Sequence, residues 1–439
     1  MNSEMSFHSE LPSLWTKNPA CLIERLARAA ERELAGGHHN ATRSAKSPTT
    51  LSPSRSSSRR ESQEGRSLCD TLVISAEEQI LDESYDKYSR TFHMVLLDPN
   101  YKIFTSPKGY GSIIYKTAKH TLVVVGDPLC STEDMHAILE ELRQFRRSRK
   151  LRLAFMGVSD AFLQYAKQQR WASFEFGCER VINPMNNDVL NKKAGKRMLS
   201  QNRQLLDPKK GGLKMHLYAP SITGIDLRLE RQLEQLYGDW CGTKHDKGLR
   251  NKQAFITAYD IFSQRSKTAF LYTTRGAPTS AEGGDGHDDN GGVCGMAMLR
   301  QLGVNAGFHI DPCIASADAP RGTTDLLMVT AMRMLQRADI SYLSLGAEPL
   351  ATLQQQQQKG QQATPVRQMH LSDRLADMAY RKVTNHKAVA GKKVYNDKFH
   401  PDPALESSLH VVFPKTLFPV QEALAIMRIA HVRRKHMFD

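Results

Sequence analysis

The order of apolar and polar positions predicts a chain that alternates short strands with helices. Between residues 92 and 182, strand-like runs (FHMVLL, GSIIYK and TLVVVG) precede a stretch of helical period at 132–148. The strand-like run LRLAFMG, a helical stretch at 160–169 and a strand near 174–182 follow. Alternation of this kind favours a mixed sheet flanked by helices.

Residues 213–346 repeat this order. The run LKMHLY precedes helical stretches at 226–240 and 252–264, and the strand-like runs TAFLYTT, VCGMAML and NAGFHID follow. A helix at 322–337 and the run ISYLSLG complete the block, so each block ends strand, helix, strand after an antiparallel meander. We therefore predict an α/β fold with mixed sheets, built from two similar acyltransferase-like (GNAT-like) lobes in tandem.

Segments of biased composition divide these blocks. Residues 36–66 are rich in Ser, Thr, Arg and His and cannot bury enough apolar surface to offset their ordering entropy, so we expect disorder there. A short amphipathic helix at 22–34 is expected as a loosely docked arm. The predicted divisions are a mostly disordered segment at 1–70, an N-terminal lobe at 75–190, a C-terminal lobe at 191–353 with a loop insert at 276–292, a low-complexity glutamine-rich loop at 354–370, and an extension at 371–439. Such inserts indicate a eukaryotic protein, and we expect a fungal one.

Composition narrows the class of protein. The 439 residues carry 60 Lys and Arg against 46 Asp and Glu, a formal charge of +14. No run approaches the ~18 consecutive apolar residues that a membrane span needs, and the first residues lack the features of a signal peptide. We therefore expect a cytoplasmic protein, with attachment to the surface of membranes or lipid droplets as a hypothesis.

The cysteines give no sign of a structural or catalytic framework. Seven are scattered along the chain without a C-x-x-C pair, which argues against a disulfide scaffold or a zinc ribbon. Cys294 and Cys313 lie in apolar runs, where an inert buried thiol is the commoner role. We expect no metal site.

Positive charge is clustered. Eight basic residues and one acidic residue lie in 191–214, a second cluster occupies 143–152, and the chain closes with HVRRKHMFD. Each alone is typical of a solvated face, but three clusters on a +14 chain favour a polyanionic partner. RNA and an anionic membrane surface both fit this charge.

The string RGTT at 321–324 comes directly before a predicted helix. Backbone amides at such a place can hold an anion or the oxyanion of an acyl-transfer intermediate. Asp325 falls in the first helical turn, where complementing the helix dipole is the plainest role. RGTT lacks the second small residue of the R/Q-x-x-G-x-G/A pyrophosphate loop, which weakens the case for acetyl-CoA. His309, in the preceding strand, is a candidate base, with a structural histidine as the simpler alternative.

Several motifs resemble one family. GDPLC (126–130), AGKRMLSQNRQ (194–204), TTDLLMVTAM with SLGAEPLATL (323–353) and KVYNDKFHPDP (393–403) are similar to the soluble domain of MprF-type phosphatidylglycerol lysyltransferases, in the family's order, across roughly 75–420. Those enzymes move an amino acid from aminoacyl-tRNA onto a lipid hydroxyl. The family's bacterial members usually carry many membrane spans, which this chain lacks. With its low-complexity inserts, it resembles instead the freestanding fungal ergosteryl-3β-O-glycine synthases.

The resemblance implies an aminoacyltransferase that moves an amino acid, expected to be glycine, from aminoacyl-tRNA to the 3β-hydroxyl of ergosterol. It implies aminoacyl-tRNA as co-substrate and no other cofactor. The implied partners are glycyl-tRNA, ergosterol or another membrane lipid, and an aminoacyl-tRNA synthetase. Two alternatives stay open: lysyl or alanyl transfer to phosphatidylglycerol, and a nonenzymatic RNA-binding protein on the same scaffold.

The resemblance also assigns roles to residues. Asp325 would orient the amino group or assist proton removal, and Lys398 would neutralise charge at the reacting ester or at the phosphates of the terminal adenosine. Arg321 and the amides of Gly322 and Thr323 would bind the anion, and Glu348 would influence the choice of amino acid. Tyr395 and Phe399 are most simply core residues but could stack on the end of the tRNA. The implied tRNA-binding residues are Lys192, Lys193, Lys196, Arg197, Arg203, Lys209 and Lys210. The stretch 409–438 would rest on a membrane, with an ordinary packed helix as the alternative.

Overall fold

The computed structural model describes residues 20–35, 75–246, 259–275, 292–355, 387–415 and 419–430. The expected disorder at 36–66, nearly all of the loop insert at 276–292 and of the glutamine-rich loop at 354–370, and the basic tail at 431–439 lie outside the described residues. Among the described residues, no helix is both long and apolar enough to cross a bilayer.

The described elements follow the predicted alternation. The strands are β1 Lys102–Thr105, β2 Ser112–Ala118, β3 Thr121–Val125, β4 Arg152–Val158, β5 Ala172–Ile182, β6 Leu213–Tyr218, β7 Thr268–Arg275, β8 Val293–Leu302, β9 Gly307–Ala315, β10 Leu343–Gln355 and β11 Ser407–Phe413. The helices are α1 Ala20–Ala35, α2 Ala76–Tyr88, α3 Met135–Ser148, α4 Asp160–Gln168, α5 Lys196–Leu206, α6 Pro220–Thr223, α7 Leu227–Asp246, α8 Thr323–Arg337, α9 Lys387–Asp397 and α10 Val420–Ile429.

All eleven strands form one sheet, in the order β1-β2-β3-β4-β11-β5-β10-β9-β8-β7-β6. The sheet contains two copies of one unit, because the antiparallel meanders β1-β2-β3 and β7-β8-β9 are each followed by a crossover helix and a parallel strand. The crossover helices are α3 and α8. This topology confirms the predicted mixed α/β fold with two similar lobes, and the β5–β10 pair joins them into one continuous sheet.

Helices cover both faces of the sheet. In the first half, α3 and α4 pack on the face to which Val124 and Phe155 point, whereas α10 packs against Val123 and Ala154 on the other. In the second half, α1, α5 and α8 share a core with Leu299, and α7 shares one with Met298. Successive strand residues point to opposite faces, so each strand contributes to two core layers.

The prediction for FHMVLL was wrong, because Thr91–Leu97 is a 3₁₀ helix rather than a strand. The spacing of three residues per turn buries Thr91, Met94 and Leu97 together. His93 stabilises the turn, since its Nδ1 accepts the backbone N–H of Arg90 at 2.8 Å. The helix predicted at 252–264 also differs where it is described, since residues 261–264 form turns.

Helix α1 is not a loosely docked arm. Its residues Leu22, Ile23 and Leu26 are buried in the main core of the second half. Arg25 donates from Nη2 to the carbonyl oxygens of Ala338 at 2.5 Å and Asp339 at 2.8 Å, where α8 ends. The helix therefore caps α8, and this part of the segment expected to be disordered is a packed element of the fold.

The C-terminal extension from β11 onward belongs to the first half. Strand β11 lies between β4 and β5 and is antiparallel to both. Helix α10 buries Ala425, Ile426 and Ile429 against the sheet, so it packs as an ordinary helix and its apolar face is covered. The predicted boundary at 371 therefore assigns β11 to a separate segment, although β11 pairs with β4 and β5 of the first half.

Candidate functional site

Strands β9 and β10 separate soon after they meet. They pair only at Phe308 with Leu343 and at His309 with Ser344. Beyond that point β10 shifts its register against β5 around Gly346, and β9 shifts its register against β8. Gly346 has φ +88°, a conformation that favours glycine. The result is an opening in the sheet towards the carboxyl ends of the two strands.

Helix α9 borders this opening. Lys392 reaches β10, because a Cβ built on Gly346 would lie 3.3 Å from Lys392 Nζ. Tyr395, one turn later, packs into the core that includes Cys313 of β9. Since side chains three residues apart lie on one face of a helix, α9 presents Lys392 and Tyr395 to the two strands together.

Asp325 and Lys398 meet at this place. Lys398 Nζ lies 3.3 Å from Oδ2 and 3.4 Å from Oδ1 of Asp325, and 4.9 Å from the centroid of the Tyr395 ring. The Asp325 side chain is 15% exposed and that of Lys398 47% exposed. Asp325 is in the first turn of α8, where the helix dipole favours a carboxylate. The structure thus brings together two predicted site residues from distant parts of the sequence.

The RGTT loop is fixed by α5. Gly322 is the N-cap of α8 with φ +95°, and Gln201 of α5 donates from Nε2 to the Arg321 carbonyl oxygen at 2.6 Å. Thr323 does not fit its predicted role, because both its N–H and its hydroxyl donate to the Pro320 carbonyl and the residue is buried. The exposed side chain of Arg321 is the cationic group that this loop offers to an anion.

His309 is buried beside the opening, with 3% of its surface exposed. Its Nδ1 lies 3.0 Å from the Ser344 carbonyl oxygen, which can only accept, so Nδ1 carries the proton and Nε2 keeps its lone pair. The His309 ring faces Gly346, where a Cβ would lie 3.2 Å from Cε1 and 3.9 Å from Nε2. Burial, and to a smaller extent Lys392, lowers the pKa of His309. The imidazole is therefore neutral at pH 7 and has an acceptor nitrogen.

Sequence reasoning missed two residues here. Lys392 lies beside His309, and its spacing of three residues from Tyr395 is the signal that indicates its position. Asp311 is half-buried on β9, and its charge acts on His309, Cys313 and Tyr237. Proline directly after Asp311 is the signal there, since proline inside a strand marks an irregular position.

Glu348 lies in a network of ion pairs. Its Oε1 accepts from Lys393 Nζ at 2.7 Å, and its Oε2 lies 3.6 Å from Arg180 Nε. Arg180 also pairs with Asp397 at 2.6 Å and with Glu406 at 3.1 Å. The hydrogen bond to Glu348 raises the pKa of Lys393. The network ties α9 to β5 and β10, so the carboxylate of Glu348 already has two cationic neighbours.

The aromatic and thiol groups around α9 are core groups. Phe399 is fully buried, with its ring centroid 5.3 Å from that of Tyr395, so it is not available for stacking on a base. Burial raises the pKa of the Tyr395 hydroxyl. Burial also raises the pKa of the Cys313 thiol to about 12, so this cysteine stays protonated, as expected of an inert buried thiol. No group of three or more His, Cys, Asp or Glu in the described part of the chain could hold a metal ion.

The predicted tRNA-binding residues form a surface on α5 and its flanks, which we call the α5 surface. Its members are all exposed: Lys192, Lys193, Lys196, Arg197, Arg203, Lys209 and Lys210. An acidic neighbour, Asp188, has Oδ1 4.0 Å from Lys193 Nζ. Because Gln201 of α5 bonds to Arg321, the α5 surface lies beside the RGTT loop and the amino end of α8.

Comparison with known proteins identifies related sequences and folds. The profile of the family described as "Phosphatidylglycerol lysyltransferase, C-terminal" matches residues 79–408. The phosphatidylglycerol lysyltransferase of Bacillus subtilis (strain 168) is 20% identical over 304 residues, 69% of this chain and 31% of that protein. The chain thus spans about a third of the length of this curated relative.

Two solved structures have a similar fold. The C-terminal domain (DUF2156) of a putative lysylphosphatidylglycerol synthetase from Agrobacterium fabrum matches with a TM-score of 0.57 and 18% identity, over 81% of this chain and 98% of that one. The structure of L-PGS from Bacillus licheniformis matches with a TM-score of 0.59 and 15% identity, over 81% of this chain and 96% of that one. At these identities the likeness concerns the fold.

Proposed function

The chain belongs to the phosphatidylglycerol lysyltransferase C-terminal family, and from this premise we propose that it transfers an aminoacyl group from an aminoacyl-tRNA to the hydroxyl of a membrane lipid. The observation that carries the proposal is the opening between β9 and β10, where the Asp325–Lys398 pair and the His309–Lys392 pair both border α9. An acid, a neutral base and two cations at one opening suit ester transfer.

The reaction needs no external energy source, because the aminoacyl ester is already activated. The lipid oxygen forms a new ester bond to the carbonyl carbon, and the bond from that carbon to the ribose oxygen breaks. The proton of the lipid hydroxyl is transferred, in net terms, to the ribose oxygen. The protein has to align the two substrates, accept and return this proton, and stabilise the oxyanion that forms between the two steps.

The residues divide this work. The Nε2 of His309 is a neutral acceptor that can take the proton of the attacking hydroxyl. Lys392, beside it, offers positive charge to the oxyanion. Asp325 pairs with the α-ammonium group of the aminoacyl moiety, and Lys398 and Arg321 bind the phosphates of the terminal nucleotides.

The positive charge of the α5 surface supports a polyanionic donor. The α5 surface places exposed cations next to the RGTT loop, at the amino end of α8. Phosphate contacts release counterions and strengthen binding without regard to sequence. The α5 surface therefore fits the backbone of the tRNA near its aminoacylated end.

We propose glycine as the transferred residue and the 3β-hydroxyl of ergosterol as the acceptor. Glu348 is held by Lys393 at 2.7 Å with Arg180 close by, a tighter pairing than the 3.3 Å of Lys398 with Asp325. We therefore assign the α-ammonium group to Asp325 and no lysyl side chain to Glu348. This favours a small uncharged aminoacyl group. The sterol acceptor rests on the motif resemblance to ergosteryl-3β-O-glycine synthases. Lysyl or alanyl transfer to phosphatidylglycerol is the second candidate, favoured by the description of the matched family.

The test is transfer of labelled amino acid. The purified protein is incubated with labelled glycyl-, aspartyl-, lysyl- or alanyl-tRNA and with vesicles that contain ergosterol or phosphatidylglycerol, and the lipids are separated by thin-layer chromatography. We expect a labelled sterol ester with glycyl-tRNA, absent after ribonuclease treatment of the donor. A labelled phospholipid instead would support the second candidate. No labelled lipid with any pair, together with retained tRNA binding, would leave a nonenzymatic RNA-binding protein.

A further inference from the structure

A second exposed basic surface lies in the first half, far from α5 in sequence. It is formed where α3 ends and β4 begins, together with the turn between β2 and β3, and we call it the α3 surface. Its exposed members are Lys119, Arg143, Arg147, Arg149 and Lys150, and Arg152 beside them is half-buried. The turns are adjacent, since Arg152 donates from Nη2 to the Lys119 carbonyl oxygen at 3.0 Å.

The cations of the α3 surface have little acidic compensation among the described residues. Arg143 pairs with Glu140 at 2.6 Å. Arg149 lies 3.9 Å from the centroid of the Phe145 ring, and its guanidinium donates to the Phe145 carbonyl, which holds it in place without neutralising it. Burial and the charges of Arg147 and Arg143 lower the pKa of the neighbouring Arg146, a sign of crowded like charge.

The sheet brings this surface to the same end as the candidate site. Strands β4 and β5 run in one direction because both are antiparallel to β11. Strands β9 and β10 run in the opposite direction, since β10 is antiparallel to β5 and parallel to β9. The sheet edge at which β3 and β4 begin is therefore the edge at which β9 and β10 end. The middle of the β3–β4 pair and the middle of the β9–β10 pair are four strand spacings of ~4.8 Å apart, about 19 Å.

Among the described residues, no large exposed apolar residue belongs to α3, to the β2–β3 turn or to β4. A surface that rests on a membrane carries apolar residues beside its cations. In the described chain, the large exposed apolar residues that cluster in sequence are Ile222, Ile225 and Leu227. They follow the carboxyl end of β6, which lies at the opposite end of the sheet. A nucleic-acid backbone, which needs cations alone, fits the α3 surface better.

We propose that the α3 surface is a second contact for the phosphate backbone of the donor RNA, and that it binds the acceptor-arm duplex about 19 Å from the aminoacylated end. This inference rests on the proposed function. The α5 surface holds the RNA next to the opening, and the α3 surface holds the duplex farther along. The affinity of the chain for RNA would then depend on the length of the duplex as well as on its charge.

The experiment compares two RNA hairpins with the same single-stranded 3′ end. One has a duplex as long as a tRNA acceptor arm, and the other has about four base pairs, at most ~14 Å at ~3.4 Å per pair. Fluorescence anisotropy measures their binding to the full chain and to Arg147→Gln with Lys150→Gln. The matched control is Lys87→Gln with Lys108→Gln, which removes the same charge elsewhere on the exposed surface.

We expect the α3-surface variant to bind the long hairpin about tenfold more weakly at low salt, with a salt slope reduced by up to two, and to bind the short hairpin as the unchanged protein does. The control should bind both hairpins normally. Equal losses for both hairpins, or no loss, would overturn the inference while leaving the proposed function intact. Lost binding to phosphatidylglycerol vesicles with unchanged RNA binding would make the surface a membrane contact. Failure of the unchanged protein to bind either hairpin would remove the proposed function as well.

Discussion

The two parallel strand pairs of the sheet share one topology but differ in how far they are joined. β3 and β4 pair at five positions, from Thr121 with Arg152 to Val125 with Met156. β9 and β10 pair at two and then separate. Their histidines differ in the same way. Both ring nitrogens of His93 are bonded, to Arg90 N–H and to the Asp127 carbonyl, whereas His309 keeps Nε2 as an acceptor. The repeated unit thus gives one half in which the parallel strands stay joined, the closed half, and one half in which they separate at the candidate site, the open half.

The largest expected effect tests the open half directly. Asp325→Asn and Lys398→Met should each lower the rate of aminoacyl transfer at least ~100-fold, because each removes one charge of the pair at the opening. Binding of tRNA should change less than threefold for Asp325→Asn and only several-fold for Lys398→Met, which loses one phosphate contact while the α5 surface is intact. Single-turnover transfer and anisotropy measure the two quantities. Full turnover in both variants would show that the pair is structural.

The closed half should respond through stability instead. Burial lowers the pKa of His93 to about 4, so the unfolded chain binds a proton that the folded chain does not over the range from pH 6.5 down to about 4. The contribution of neutral His93 to the free energy of unfolding is complete above pH 6.5. It falls by about 3 kcal/mol as the pH falls through this range. Urea unfolding at several pH values should show this slope. His93→Gln should flatten it, whereas the exposed control His120→Gln should keep it.

Gly346→Ala narrows the opening. A Cβ there lies 3.2 Å from His309 Cε1 and 3.3 Å from Lys392 Nζ, so we expect transfer to fall about tenfold. The matched control is Gly109→Ala, because Gly109 has a similar φ of +79° with no atom within 4 Å of the added Cβ. Both variants should lose about 1 kcal/mol of stability from backbone strain. Equal transfer rates in the two variants would mean that the open space beside Gly346 is not needed for aminoacyl transfer.

The smallest expected effect concerns the α5 surface. Lys196→Gln with Arg197→Gln should weaken tRNA binding several-fold at low salt and reduce the salt slope by up to two. The rate constant of transfer at saturating tRNA should stay within twofold, because neither residue borders the opening. A fall in that rate constant without a change in affinity would move these cations from tRNA binding into the chemistry.

The local pattern of apolar and polar residues predicted most of the elements, because helical and strand periods depend on residues close together in sequence. It did not predict the 3₁₀ helix at Thr91–Leu97, whose apolar run is also typical of a strand. It also did not predict that β11 pairs with β4, since partners so far apart in sequence leave no local signal. Of the site, Asp325 and Lys398 were found through motifs. Lys392 and Asp311 became visible only when the bend at Gly346 and the shift in β9 were known, because a strand that leaves its neighbour is a tertiary event.

The position of β11 has a consequence for synthesis on the ribosome. Its partner positions in β4 lie some 250 residues earlier, as in the pair of His410 with Val158. The first half of the sheet therefore stays unfinished during translation until nearly all of the described chain has been made, and long-range pairing of this kind is slow. A nascent chain arrested before residue 407 should be cut rapidly by protease within residues 102–182, and a chain released after 430 should resist. If so, the residues of the candidate site are synthesised before the sheet that aligns them is complete.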